Sequence, residues 1–140
     1  MKFNFLFGAT ALLAAASPVG AQDQRFDGPY FGEVIEIVDG DNFVARVEIW
    51  PTISATVSVR LRGFDAPELF RPACENEAYQ ARLALSAMQE VLPIGQQVVL
   101  FNVEEDSFSG RVVADVSRVA NVNSYSLSTL LENREAVLPW

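Results

Sequence analysis

Val59-Arg60-Leu61-Arg62-Gly63-Phe64-Asp65-Ala66-Pro67-Glu68 reads as a β-strand that runs out into an acidic corner. Val59 and Leu61 alternate with Arg60 and Arg62, so an apolar pair faces one side and two guanidinium groups face the other. Gly63 loosens the strand end, and Pro67 pushes Ala66 into extended backbone and stops the strand. Asp65 and Glu68 are then displayed on a constrained loop beside the arginine face. One carboxylate to hold a cation, one to work on water and an arginine for an anion make a set suited to phosphodiester cleavage. A salt-bridged strand end is the competing reading of the same residues.

Upstream, the period-2 pattern continues. Phe31 to Val38 reads as a first strand, with Phe31, Glu33, Ile35 and Ile37 on one side. Asp39-Gly40 follows as a hairpin signal. The return strand runs from Asn42 to Trp50, where Phe43, Ala45, Val47 and Ile49 alternate with Val44, Arg46 and Glu48, and Pro51 stops it. The third strand spans Ala55 to Phe64, completing a meander. Downstream the period changes. From Cys74 to Leu92 there is no glycine or proline, and Ala78, Ala81, Leu85, Met88 and Leu92 recur at helical spacing. Pro93 and Gly95 end that helix. Gln97–Val103 and Arg111–Arg118 read as a second hairpin across an acidic connection, and a short helix runs from Ser126 to Asn133. This order predicts a β-barrel with helices, of α+β class. It is a five-stranded Greek-key barrel of the OB type, with one helix between strands 3 and 4 and a short C-terminal helix.

The first 21 residues stand apart. Lys2, the mostly apolar run Phe3 to Ala16, and the small side chains of Pro18-Val19-Gly20-Ala21 form a secretory signal peptide pattern, with cleavage after Ala21. Residues 22–140 are then one domain, expected in the periplasm or outside the cell, monomeric, with no protein partner and no stable membrane association. Without Lys2 the chain has no lysine: nine arginines face 18 acids, a formal charge of −9. That balance is unusual for a nucleic-acid binder and has two readings: the protein does not bind long polyanions, or it works in a salty medium, where long-range repulsion is screened. There is no histidine, which excludes histidine triads, histidine-ligated zinc and histidine bases. The lone Cys74 forms no internal disulfide and is expected to be a small buried apolar residue. Chemistry here must use carboxylates and arginines, with or without a hard metal ion.

If strands 1 to 3 are neighbours, Asp41 at the hairpin tip and Asp65 after strand 3 lie at one barrel end and can share a cation, calcium or magnesium. Arg60 and Arg111 can clamp a phosphodiester and stabilise extra charge at phosphorus. Glu68 can orient or deprotonate the attacking water. Arg62 is expected to make a surface ion pair, and Asp115 and Glu104 to be solvated. Trp50 and Trp140 are expected to fill core or crevice rather than to stack on bases.

Three marks taken in order resemble the staphylococcal nuclease (thermonuclease) family over Gly32 to Ala136. They are Val38-Asp39-Gly40-Asp41, the stretch Val59 to Glu68, and Asp106 with Gly110-Arg111, with a helix between the second and third. The resemblance implies calcium-dependent hydrolysis of DNA or RNA to 3′-phosphate ends. It implies calcium on Asp41, Asp65 and the Ala66 backbone carbonyl, water handling by Glu68, and phosphate held by Arg60 and Arg111. Another divalent cation could replace calcium. The chain departs from the family at Asn42, where threonine is common, and at Ala66, where a threonine can occur. It departs also in the turn Asp106-Ser107-Phe108-Ser109-Gly110-Arg111, one residue longer than Asp-x-Tyr-Gly-Arg, and at Arg134, where glycine is expected. Phe108 can stack on a base but lacks the phenol hydroxyl, and the longer turn bears on the reach of Arg111. The alternatives are a catalytically inactive OB-fold module that binds nucleic acid or another ligand, and an acidic structural domain with no ligand.

Overall fold

The structure, a computed structural model, describes residues 24–108, 110–120 and 123–132. The expected signal peptide, Trp140 and Arg134 lie outside the described residues. The elements in order are β1 (Tyr30–Ile37), β2 (Asn42–Trp50), β3 (Ile53–Leu61), α1 (Glu75–Val91), β4 (Gln97–Glu105), β5 (Arg111–Ala120), β6 (Asn123–Ser126) and α2 (Leu127–Glu132). Five strands close into a barrel in the order β3-β2-β1-β4-β5, shut by parallel pairing of β3 with the start of β5, Ser58↔Arg111 to Leu61↔Ala114. The short β6 had no clear sequence pattern. It pairs with the far half of β5, beyond the part that β3 occupies.

The meander, the intervening helix and the second hairpin agree with the sequence patterns, while the details of facing differ. In β1 the register shifts between Val34 and Glu36 against Ala45 and Val44 of β2. The extra residue, Ile35, is a β-bulge that flips the phase of the strand. Gly32 and Val34 therefore point inward, and the face of Phe31 and Glu33 turns out. In β2, Phe43, Ala45 and Val47 are buried, but Ile49 is exposed because the strand outruns the core. β3 begins at Ile53 and ends at Leu61, before Gly63, which takes a positive φ of 68°.

Helix α1 is rotated relative to the expected face. Ala81, Ala84, Ala87, Met88 and Val91 are buried, followed by Leu92 at its C-terminal end. Ala78 and Leu85 are only partly covered. Three alanines on that face let the helix lie close over the barrel end. Met88 and Leu92 then meet Phe43, Val59, Leu61 and Leu100 in one core, joined by Leu127 and Leu131 of α2. Each fully buried side chain of this size contributes about 1.5–3 kcal/mol.

Several residues sit differently from the sequence reading. Cys74 is exposed, at the N-cap of α1, not buried. Trp50 is 70% exposed and fills no crevice. The segment before β1 is pinned: Phe26 and Val103 exchange two backbone hydrogen bonds of 2.8 Å, and Arg25 Nε reaches Glu104 Oε1 at 2.6 Å. Arg62 makes ion pairs as expected, but it is part-buried and also acts as a strut to the backbone. It donates to the Asn102 carbonyl (2.6 Å) and to Glu104 Oε2 (3.0 Å), and stands 3.5 Å from Asp115 Oδ1. The carbonyl is within reach because β4 is irregular there and Asn102 takes a left-handed φ of 50°. Glu104 and Asp115 are thus paired, not simply solvated. Hydrogen bonds from Arg25 and Arg62 hold the Glu104 carboxyl below its ordinary range. Among the described residues, no helix is long and apolar enough to cross a membrane.

Candidate functional site

The turn between β1 and β2 is organised by one side chain. Asp39 Oδ1 accepts hydrogen bonds from the backbone N–H of Asp41 (3.1 Å) and of Asn42 (2.8 Å). Asn42 Nδ2 donates to Asp39 Oδ1 (2.9 Å) and Oδ2 (3.1 Å) and to Asp41 Oδ1 (2.6 Å). The turn is therefore an aspartate-braced loop, and Gly40 has no positive φ of the kind a two-residue hairpin would require. Gly40 matters for another reason. A Cβ built there would lie 2.6 Å from the Cβ of both Ala66 and Ala84. Its bare backbone lets the hairpin tip press on the acidic corner and on α1 at once.

Register completes the approach. Antiparallel pairing sets Asn42 opposite Arg60, and Leu61 N–H donates to the Asp41 carbonyl at 2.9 Å. The parallel β3–β5 pairing brings Arg111 alongside Ser58. As a result Asp41, Arg60, Asp65, Ala66, Glu68 and Arg111 all line one cleft of about 450 Å³, shared with Asp39, Asn42, Ser58, Phe70 and Phe108. The chain delivers them from three separate stretches.

Within the cleft, Arg60 bridges the two candidate metal ligands. Its Nε lies 3.7 Å from Asp41 Oδ2, and its Nη2 donates to Asp65 Oδ1. Ala66 contributes its N–H to Asp41 Oδ2 at 3.4 Å. Burial, and next the adjacent Asp39 carboxylate, push the Asp41 carboxyl up to about 7. Two neighbouring acids at a covered turn hold more negative charge than Arg60 alone offsets. Glu68 is exposed on the rim and makes no hydrogen bond or ion pair among the described residues.

The longer turn before β5 still brings Arg111 into the cleft. Asp106 accepts a hydrogen bond from Arg111 Nε, and the Arg111 guanidinium lies 4.7 Å from the centre of the Phe108 ring. Burial works to raise the Asp106 carboxyl, but Arg111 and Ser107 outweigh it and hold it below its ordinary value. Asp106 therefore stays charged and aims the arginine.

The donor set fits a hard divalent cation only with help. Carboxylates of Asp41 and Asp65 and a main-chain carbonyl are oxygen ligands of the type calcium takes. Among the described residues, however, no three acidic, cysteine or histidine side chains converge on one point. Asp39 is committed to the turn, so carbonyl and water oxygens must complete any shell. The surplus charge at Asp41 is the feature of this cleft that a divalent cation would relieve.

The sequence leaves the bracing of the turn and the place of Phe70 unread. Asp39 belongs to the Val38–Asp41 motif, and Asn42 is a residue able to hydrogen-bond beside the ligands, but that the two brace the turn together was not legible. Phe70 lines the cleft from the loop after Glu68, and nothing in its local pattern sets it apart from an ordinary loop aromatic. No protein-family model matches the chain, and no curated protein matches it either.

Proposed function

We propose that this cleft is a divalent-cation-dependent phosphodiesterase site acting on DNA or RNA, on a barrel of the OB type resembling the thermonuclease family. The observation that carries the reading is the convergence of Asp41, Arg60, Asp65, Glu68 and Arg111, from three separate stretches, on one cleft. A closed five-stranded barrel with its helix between β3 and β4 is in keeping with the OB reading. In this reading Asp41, Asp65 and the Ala66 carbonyl hold the cation, with calcium the first choice. When bound, the cation supplies charge neutralisation at the phosphoryl oxygen and brings water close. Glu68, unpaired on the rim, takes the proton of the attacking water. Arg111, aimed by Asp106, and Arg60 hold the non-bridging oxygens as charge builds at phosphorus. The protein would act in the periplasm or outside the cell.

Arg60 gives the test its edge. Its guanidinium now supplies the positive charge beside Asp41 and Asp65, so a cation entering there takes over its place and releases it toward substrate. Purified residues 22–140 are expected to nick plasmid DNA with calcium and to stop with a chelator. Arg60→Ala is expected to abolish nicking while binding calcium, by calorimetry, at least as tightly as the parent. Absence of calcium-dependent nicking in the parent would end the nuclease reading.

One observation favours a second reading, a non-catalytic OB module. Asp41 and Asp65 are both already engaged by Arg60, so the cleft keeps its arrangement without a metal. In that case a nucleoside bisphosphate raises the melting temperature with no cleavage and no calcium dependence.

A further inference from the structure

The cleft has two aromatic side chains that its acid and arginine chemistry does not use. Phe70 is 70% exposed and Phe108 is 67% exposed, yet both line the cleft that holds Arg60, Asp65 and Arg111. Phe70 sits between Pro67, which is buried, and Pro72, so its loop is stiffened at both ends and holds the ring out from the core. Phe108 is stacked by the Arg111 guanidinium. A group that would grip phosphate is therefore already joined to a flat apolar surface. The polar side chains available to read a base edge are few. Asp39 and the Asn42 amide nitrogen are occupied in bracing the turn, the Asn42 amide oxygen is buried, and Asp41 and Asp65 are held by Arg60.

We infer that Phe70 and Phe108 are nucleobase-stacking platforms, with the bases on either side of the held phosphate lying on their rings. This rests on the phosphodiesterase reading of the cleft and adds to it a subsite for the base. Stacking accepts any base, because every base offers a flat face, and it requires the base to be unpaired. The pair thus makes affinity depend on the presence of a base and little on its identity. It also compensates for an acidic surface that offers few phosphate contacts: where ionic attraction is weak, apolar ring contacts hold the substrate and persist at high salt.

The experiment compares two single-stranded probes with calcium. One is an oligothymidylate, and the other is the same strand with abasic tetrahydrofuran units flanking the cleaved phosphate. Binding is read by fluorescence anisotropy and turnover by gel. Phe70→Ala is expected to weaken binding and raise KM on oligothymidylate about 5- to 50-fold. It should leave the abasic strand and the melting temperature unchanged, and Phe70→Trp should restore the parent value. Phe108→Ala should act in the same sense, with an added loss on the abasic strand through Arg111. Equal losses on both probes for Phe70→Ala, or no loss on oligothymidylate, would overturn the inference. If the parent binds oligothymidylate without cutting it, the nuclease reading fails, and the base dependence of binding still decides the role of Phe70. If the parent binds neither probe, both fall.

Discussion

Strand β2 starts at a turn in which nearly every polar group is used and ends at a turn in which almost none is present. At Asn42 the chain leaves Asp39-Gly40-Asp41, where one carboxylate accepts two backbone N–H groups and an asparagine ties two acids together. Asp41 and Asn42 are each only 7% exposed. At the other end, Trp50 enters Pro51-Thr52 with its ring in solvent, flanked by exposed Ile49 and Ile53. The two turns differ in what they are built around. The first concentrates negative charge in a covered place and leaves it partly uncompensated, while the second only reverses the chain. A turn that collects surplus charge and covers it points to a ligand, whereas an exposed apolar turn points to none by itself.

The widest separation between the two turns should be in catalysis. Glu68→Gln, on the rim beside the first turn, is expected to lower calcium-dependent cleavage by about 10²- to 10⁴-fold, the usual contribution of a general base. Trp50→Ala and Ile53→Ser, at the second turn, should leave cleavage within about twofold. Steady-state nicking rates on one plasmid preparation check this. A comparable loss from Trp50→Ala would erase the contrast.

Packing gives the next effect. A methyl at Gly40 meets Ala66 and Ala84 at 2.6 Å, which nothing short of a backbone shift can relieve. Gly40→Ala is expected to cost about 2–3 kcal/mol in denaturant unfolding, within the range for overpacking a tight contact. It should also weaken calcium binding, because the hairpin tip must retreat from Asp65. Adding Ala84→Gly should recover part of the loss despite glycine's poorer helix propensity. Strict additivity of the two substitutions would show that the close approach is not the cause.

These contacts also mark where sequence reading ends. The β2 boundaries, the helix between β3 and β4 and the meander were legible because hydrophobic period and glycine or proline punctuation carry them. So was the approach of Asp41 to Arg60, Asp65 and Glu68, since the adjacency of β1, β2 and β3 follows from short turns, whereas Arg111 joins them only through the parallel β3–β5 closure of the barrel. The bulge at Ile35, the rotation of α1 onto Ala81 and Ala84, and the reach of Arg62 to the Asn102 carbonyl were not. Each depends on how another part of the chain pairs or packs, which no local pattern encodes. In the sequence Gly40 has the look of a hairpin glycine; in the fold it admits a helix and a loop from farther down the chain.

The electrostatic difference predicts a pH effect confined to the first turn. The Asp41 carboxyl titrates near 7 in the folded protein, raised from 3.8 by burial and by Asp39. Below about pH 4 it is protonated in both states, so its contribution to stability is fully present. Between pH 4 and 7 the unfolded chain releases the proton while the folded chain keeps it, and stability falls. In chelator, wild type is therefore expected to lose about 2 kcal/mol relative to Asp41→Asn across this window, after allowance for solvent screening at the cleft mouth. The two proteins should be close in stability at pH 4, and Asp41→Asn the more stable at pH 8. Parallel stability curves across that range would mean that Asp41 carries no surplus charge.

The smallest effect belongs to the second turn and has the opposite sign. Thr52 takes a φ of 72°, a region that β-branched side chains rarely adopt, because a two-residue link must turn β2 directly into β3. Pro51 meets its own constraint easily, so the strain gathers at Thr52. Holding such a residue there costs about 1–3 kcal/mol, and a glycine returns part of that gain as chain entropy. Thr52→Gly is thus expected to stabilise the protein by about 0.5–1 kcal/mol, raising the melting temperature by about 2–6 °C for a domain of this size. Thr52→Asn should act the same way at lower entropic cost, since asparagine tolerates positive φ. Cleavage should not change in either variant, because no side chain of this turn lines the cleft. If both variants melt at or below the wild-type temperature, Thr52 is not under strain. The contrast between the two ends of β2 would then rest on charge alone.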